Sequence, residues 1–197
     1  MLSETQIERY ARHILLREVG GVGQEKLLAA RVRIEGLGQV GTWASVYLAL
    51  AGVGCLELSD PRPIPAEGLL PLLGPEAAGH PRDASLAEVL AAHNPDVRFE
   101  LAGAEPPPGD MSRLLPGEGT PSLWAGAAGS DGYVGWAEAR PCTRCFPAEV
   151  PAAETAALAG SLAASRILAQ LLLGEAAPGL LRIQGGQEEV WEGCPHR

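Results

Sequence analysis

Apolar residues recur at three- and four-residue steps between Ser3 and Glu18, at Ile7, Tyr10, Ala11, Ile14 and Leu15, with Ser3 placed to cap and Gln6 three residues on. The spacing predicts a helix with one buried face. Gly20-Gly21-Val22-Gly23 breaks the pattern, and a short helical piece leads into Arg31-Val32-Arg33-Ile34-Glu35, whose alternation predicts a strand. Gly36-Leu37-Gly38-Gln39-Val40-Gly41 follows, then an apolar run from Thr42 to Ala51 closed by Gly52, as a helix with a terminal glycine would be. Cys55-Leu56-Glu57-Leu58-Ser59 predicts a second strand, ending at Asp60. Pro61 to Gly79 predicts a loop with short helical turns. Leu86 to Ala92 predicts a helix stopped by Asn94-Pro95, with a third strand from Val97 to Leu101. Gly103 to Pro121, with Pro106-Pro107-Pro108 and several glycines, predicts a loop. Ser122 to Ala125 and Gly132 to Ala139 predict a hairpin, Ala152 to Leu173 a long Ala/Leu helix, and Leu180 to Gln184 with Glu189 to Trp191 a closing hairpin.

Strand, glycine-rich turn, helix, strand and acid, in that order, make a βαβ nucleotide-binding unit. The three glycines have separable tasks: Gly36 for the tight turn, Gly38 for close backbone approach to a phosphate, and Gly41 for close packing of helix on strand. Asp60, at the end of the second strand, is placed to accept hydrogen bonds from ribose hydroxyls; its plain reading is a strand-end turn residue. The fold class is therefore α/β: a Rossmann-like nucleotide-binding sheet with flanking helices, and antiparallel strands toward the C-terminus. A chain of 197 residues builds one sizeable core, so one domain is predicted. It comprises an N-terminal helical segment (1–30), a nucleotide-fold core (31–140), and a Cys-x-x-Cys stretch, long helix and hairpin (141–197).

Composition narrows the function classes. A net charge of -9, from 15 basic and 24 acidic residues, argues against a nucleic-acid surface, which needs clustered Lys and Arg. It leaves a nucleotide open, because helix N-termini hold phosphate with backbone N–H groups. Met1 to Gln6 lacks the basic-then-apolar order of a secretion signal, which predicts the cytoplasm. The longest apolar runs, Ala44 to Ala51 and Ile167 to Leu173, fall short of the ~20 residues of a bilayer span. Without an export signal, the four cysteines read as metal ligands, catalytic thiols or core residues rather than disulfides. Cys55 sits inside an apolar strand and reads as core.

Several stretches, in order, resemble the ThiF/MoeB/HesA family and its ubiquitin-activating relatives. They are Arg9-Tyr10-Ala11-Arg12-His13-Ile14-Leu15-Leu16, Gly23-Gln24-Glu25-Lys26-Leu27, the glycine turn from Gly36 to Gly41, Asn94-Pro95-Asp96-Val97, and Pro141-Cys142-Thr143-Arg144-Cys145-Phe146-Pro147 with Cys194-Pro195. The resemblance implies adenylation of the C-terminal glycine of a small β-grasp carrier protein by MgATP, in a homodimer. Gly36, Gly38, Gly41 and Asp60 are the implied nucleotide contacts. Arg12 is the implied arginine that reaches a neighbouring subunit's ATP site, and Arg82 stands where the family has a phosphate-binding lysine. Cys142, Cys145 and Cys194 match family zinc ligands, and His196 is the substitute for a fourth cysteine that Arg197 replaces.

The sequence also departs from the family. The acid, asparagine and arginine expected after Asp60 are replaced, and the Asp-x-x-Asp-Asn segment that holds the metal-bound nucleotide is missing between Leu101 and Pro121. Asp110 is the lone aspartate of that gap, in a Pro/Gly setting that does not match the motif. Too few oxygen ligands remain for Mg²⁺. The expectation is a pseudoenzyme with impaired adenylation that binds a β-grasp carrier or a companion enzyme. Two alternatives stand beside it: an active minimal adenylyltransferase, and a small NAD or flavin oxidoreductase.

Overall fold

The computed structural model describes residues 1–66, 70–117, 120–137, 150–174, 176, 179–183 and 188–189. Ser3 caps α1 (Glu4–Arg9) in a full capping box with Gln6. Where one helix is predicted to run to Glu18, the chain breaks at Tyr10 and resumes as the short α2 (Ala11–Ile14). The break has a cause: Tyr10 is 1% exposed and turns inward, its hydroxyl donating to Asn94 Oδ1 at 3.3 Å and accepting from Asn94 Nδ2 at 3.0 Å. Its ring fills the space beside Gly52, where a Cβ would lie 2.7 Å from ring atoms. The predicted break at Gly20 to Gly23 is instead the first turn of α3 (Gly20–Ala29), entered through Gly20 at φ +57°.

β1 (Arg31–Glu35) and β2 (Cys55–Ser59) pair in parallel, joined by α4 (Gln39–Ala51), which ends at Gly52 in the left-handed conformation. A 3-10 turn (Pro75–Ala77) and α5 (Arg82–His93) lead to β3 (Arg98–Leu101), parallel to β2. The stretch predicted to be all loop contains a strand, β4 (Ser112–Leu115), antiparallel to β1. Four residues framed by Pro and Gly are too short for periodicity to reveal; pairing with β1 and β5 makes them a strand. β5 (Ser122–Ala128) and β6 (Asp131–Ala137) form the predicted hairpin; α6 (Ala153–Leu173) and the β7 (Gly179–Arg182) and β8 (Glu188–Glu189) pair complete the described chain. Among the described residues, eight strands form one sheet in the order β3-β2-β1-β4-β5-β6-β7-β8.

The core follows strand alternation. Val32, Ile34, Leu56, Leu58 and Leu114 are fully buried in one cluster with residues of α4, α5 and α6. The intervening positions carry ion pairs: Arg33 with Glu57 at 2.7 Å, Arg31 and Arg98 each with Glu100 at 2.8 Å, and Arg113 with Glu35 at 3.4 Å. α6 is the helix predicted over Ala152 to Leu173, 21 residues long and, by length and composition, apolar enough to cross a bilayer, although its unbroken apolar run from Ile167 is short. Its Ala156, Ala159, Gly160, Ala163 and Ile167 are buried, and it packs on α4, β5 and β6.

Candidate functional site

At the carboxyl end of β1, Gly36 takes φ +87° and its N–H donates to Ser59 O at 3.0 Å. A side chain there would meet Met111 O at 2.4 Å, so the turn requires glycine twice over, by conformation and by space. Gly41 serves the packing task predicted for it: a Cβ would lie 2.0 Å from Gly36 O and 2.6 Å from Ser112 Oγ. Gly38 is the N-cap of α4 and supplies no capping side chain. The cap comes from elsewhere in the chain. Asp110 Oδ1 accepts from the Gln39 N–H at 2.5 Å and Oδ2 from the Val40 N–H at 3.2 Å. A Cβ on Gly38 would fall 1.7 Å from Asp110 Oδ1. The close approach that Gly38 permits is thus made by the protein's own carboxylate, at the helix N-terminus where a phosphate would be held.

Asp60 is 0% exposed. Its carboxylate accepts from Leu37 N at 2.8 Å, from Arg62 Nε and Nη2 at 2.7 Å each, and from Arg82 Nη1 at 3.5 Å. Burial pushes the Asp60 pKa up, but the Arg62 guanidinium, the Leu37 N–H and Arg82 outweigh it, and the carboxyl sits below its ordinary value. Asp60 is ionised and already furnished with donors. Arg62, two residues on, closes over the position predicted for a ribose hydroxyl and also donates to Pro107 O at 3.3 Å. Arg82 opens α5 and does reach the site, held by its bond to Pro63 O at 3.3 Å.

Asp110 is shifted the other way. Burial raises its pKa to about 6, against the lowering pull of the Val40 and Gln39 N–H groups, Arg82 and Arg62. The space left is a cleft of about 300 Å³ whose lining includes Gly38, Gln39, Arg62, Arg82, Asp110 and Val150. That volume is at the lower end of small-molecule sites, ~300–1,000 Å³.

The structure brings Gly36, Gly38, Gly41, Asp60 and Arg82 together at the carboxyl ends of β1 and β2. Arg12 stands apart, exposed on α2. The two residues that change the site, Arg62 and Asp110, were legible only as departures from the family pattern. As a Mg²⁺ site the pair of carboxylates fits poorly, since Asp60 faces guanidinium and amide donors and Asp110 faces amide donors. Among the described residues no group of three or more His, Cys, Asp or Glu side chains is arranged to hold a metal. Cys142, Cys145, Cys194 and His196 lie outside the described residues.

The glycine turn, the capped helix and the acid at the end of β2 belong to the stretch that the ThiF family profile matches, residues 10–108, half of the chain. The chain belongs to the ThiF family. It is 35% identical over 118 residues to the SAMP-activating enzyme E1 of Haloferax volcanii, covering 59% of this chain and 44% of that one. It is 37% identical over 100 residues to the sulfur carrier protein ThiS adenylyltransferase of Escherichia coli, covering 50% and 40%. With the molybdopterin-synthase adenylyltransferase of Salmonella typhimurium the figures are 36% over 118 residues, 59% and 47%. The matched part spans less than half the length of these curated relatives. In fold, this ThiF-family chain resembles crystal structures of PaaA (TM-score 0.74, 18% identity, 97% of this chain and 85% of that one). It also resembles Escherichia coli MccB with ATP (TM-score 0.72, 16% identity, 98% and 74%).

Proposed function

We propose that this ThiF-family protein works in the activation pathway of a ubiquitin-like or sulfur-carrier protein, binding a small β-grasp carrier or a companion enzyme while its own ATP adenylation is impaired. The relatives named for carrier adenylation support the pathway. The observation that carries the impairment is the state of Asp60. Its carboxylate, buried and bound by Arg62, has its acceptor capacity taken up by the protein itself. A ribose would have to displace a bidentate, charge-assisted pair, the strongest kind of hydrogen bond a side chain makes.

Carrier binding draws support from a groove of about 750 Å³ lined by Glu35, Glu105, Pro106, Pro107, Arg113 and Trp124, among others. It runs on the ion-paired side of the sheet, sharing Pro108 with the small space beside Asp110. An extended carrier tail would lie there and point at the glycine turn. Arg12, exposed on α2, fits the reading in which it serves a second copy of the chain in a homodimer. Structural zinc, held by Cys142, Cys145, Cys194 and His196, belongs to the same proposal.

The test is an ATP–pyrophosphate exchange assay run beside a binding titration, both with a β-grasp carrier ending in Gly-Gly. The expected outcome is micromolar carrier binding, about -8 kcal/mol, with no carrier-dependent exchange. Exchange above background would establish the active minimal adenylyltransferase instead, and absence of carrier binding would remove the pathway assignment.

A further inference from the structure

The segment between β3 and β4 crosses the carboxyl ends of β2 and β1, directly over the glycine turn. Three attachments hold it along its length: Ser59 Oγ donates to Ala104 O at 2.6 Å, Arg62 Nη1 donates to Pro107 O at 3.3 Å, and Asp110 accepts from the first turn of α4. Its contact with the turn is close throughout. A Cβ at Gly36 would meet Pro107 Cδ at 3.1 Å as well as Met111 O, and Ser112 Oγ donates to Gly36 O at 2.8 Å. Gly103 and Gly109 along it both sit at φ +65°, backbone conformations from which glycine can move with little steric penalty.

We infer that this strap is an autoinhibitory contact, in which Asp110 occupies the phosphate position of a nucleotide site that the rest of the turn retains. The inference rests on reading the glycine turn as a nucleotide site and goes beyond the impaired adenylation proposed above by assigning the block to one displaceable side chain. Three features support it. The group at the N-terminus of α4 is an anion with the donors a phosphate oxygen would use, so occupation by Asp110 and by phosphate are mutually exclusive. Arg62 and Arg82 line the same cleft and offer positive charge to any anion that replaces it. Burial raises the Asp110 pKa to about 6, so desolvation of the ionised carboxylate offsets part of its hydrogen bonding to the helix N-terminus and weakens the strap's hold.

Isothermal titration of the full chain with MgATP, and separately with inorganic pyrophosphate, compares the wild type with Asp110→Ala and Asp110→Asn. Asp110→Asn keeps the side-chain shape and reports on charge if the alanine variant fails to fold; melting temperatures accompany each titration. The expected result is binding at least tenfold tighter in both variants than in the wild type, for both ligands. Equal affinities in folded variants would overturn the inference and leave Asp110 as a helix cap. Weaker binding in the variants would overturn it too, making Asp110 a partner of the bound nucleotide. Pyrophosphate exchange by the wild type bears on the impaired-adenylation reading, whereas the ratio of affinities bears on Asp110, so the two failures are distinguishable.

Discussion

Two carboxylates hydrogen-bonded to backbone N–H groups of the same glycine turn and its helix are driven in opposite directions by their surroundings. Asp60 has a guanidinium fork and an amide; Asp110 has two amides, with its arginines farther off. The consequence for stability is opposite in sign. The folded protein holds the Asp110 proton up to about pH 6, while an unfolded aspartate loses it near ~3.9. This group's contribution is therefore greatest below ~4 and falls as pH rises through 6. Asp60, with its pKa lowered, contributes stability above ~4 that is lost only in more acidic solution. Replacing Asp110 by Asn removes the first effect and leaves the second. The melting temperature of Asp110→Asn relative to wild type should rise from about pH 4 to about pH 6 and level off above it; a constant difference would reject the raised pKa. Gly36, Gly41 and Asp60 were legible in the sequence because a tight turn and a strand end restrict what can stand there. Asp110 was not, because it reaches Gln39 across 71 residues of chain through a strap with no periodicity to read.

At the scale of elements, the site depends on how α4 is fixed against the sheet, and α6 does much of the fixing. Gly160 lets the two helices meet: a Cβ there would lie 2.6 Å from both Val40 O and Trp43 Cβ. Alanine would gain about 1 kcal/mol of helix propensity against ~1–3 kcal/mol for overpacking. A backbone carbonyl cannot rotate away, which places the cost at the upper end. Gly160→Ala should lose about 2 kcal/mol net and melt roughly 4–8 °C lower; an unchanged or raised melting temperature would show that α6 slides freely on α4. The pattern made α4 visible because it is long and strongly apolar, and β1 and β2 because their apolar residues alternate with polar ones on either side of the glycine turn and α4. It hid β4, whose four residues become a strand only through neighbours on both sides, and it joined α1 to α2 because the apolar spacing continues through Tyr10 while the backbone does not.

For the whole molecule, the sheet packs helices on one face, while the other carries the ion pairs of β1, β2 and β3 beside a smaller apolar cluster of Met111, Trp124 and Leu180. The α/β class with antiparallel strands toward the C-terminus could be read from strand alternation and order. What alternation could not show is where apolar residues stay outside. Leu15 (85% exposed), Leu16 (53%) and Val22 (71%) lie at the end of α2 and in α3, two helices that pack on one another, beside exposed Arg12. Three such side chains on one helical pair form an exposed apolar surface of the kind that marks an interaction site, and the proposed homodimer would cover it and carry Arg12 toward the neighbour. In the proposed homodimer, light scattering should therefore give twice the mass of one chain at micromolar concentration. Leu15→Glu with Val22→Glu should halve that mass and leave the melting transition cooperative, because neither side chain contributes to the core. A wild type that runs as one chain at every concentration would remove the dimer, and with it the assignment of Arg12 to a partner's site. A double variant that stays dimeric would move the interface away from α2 and α3.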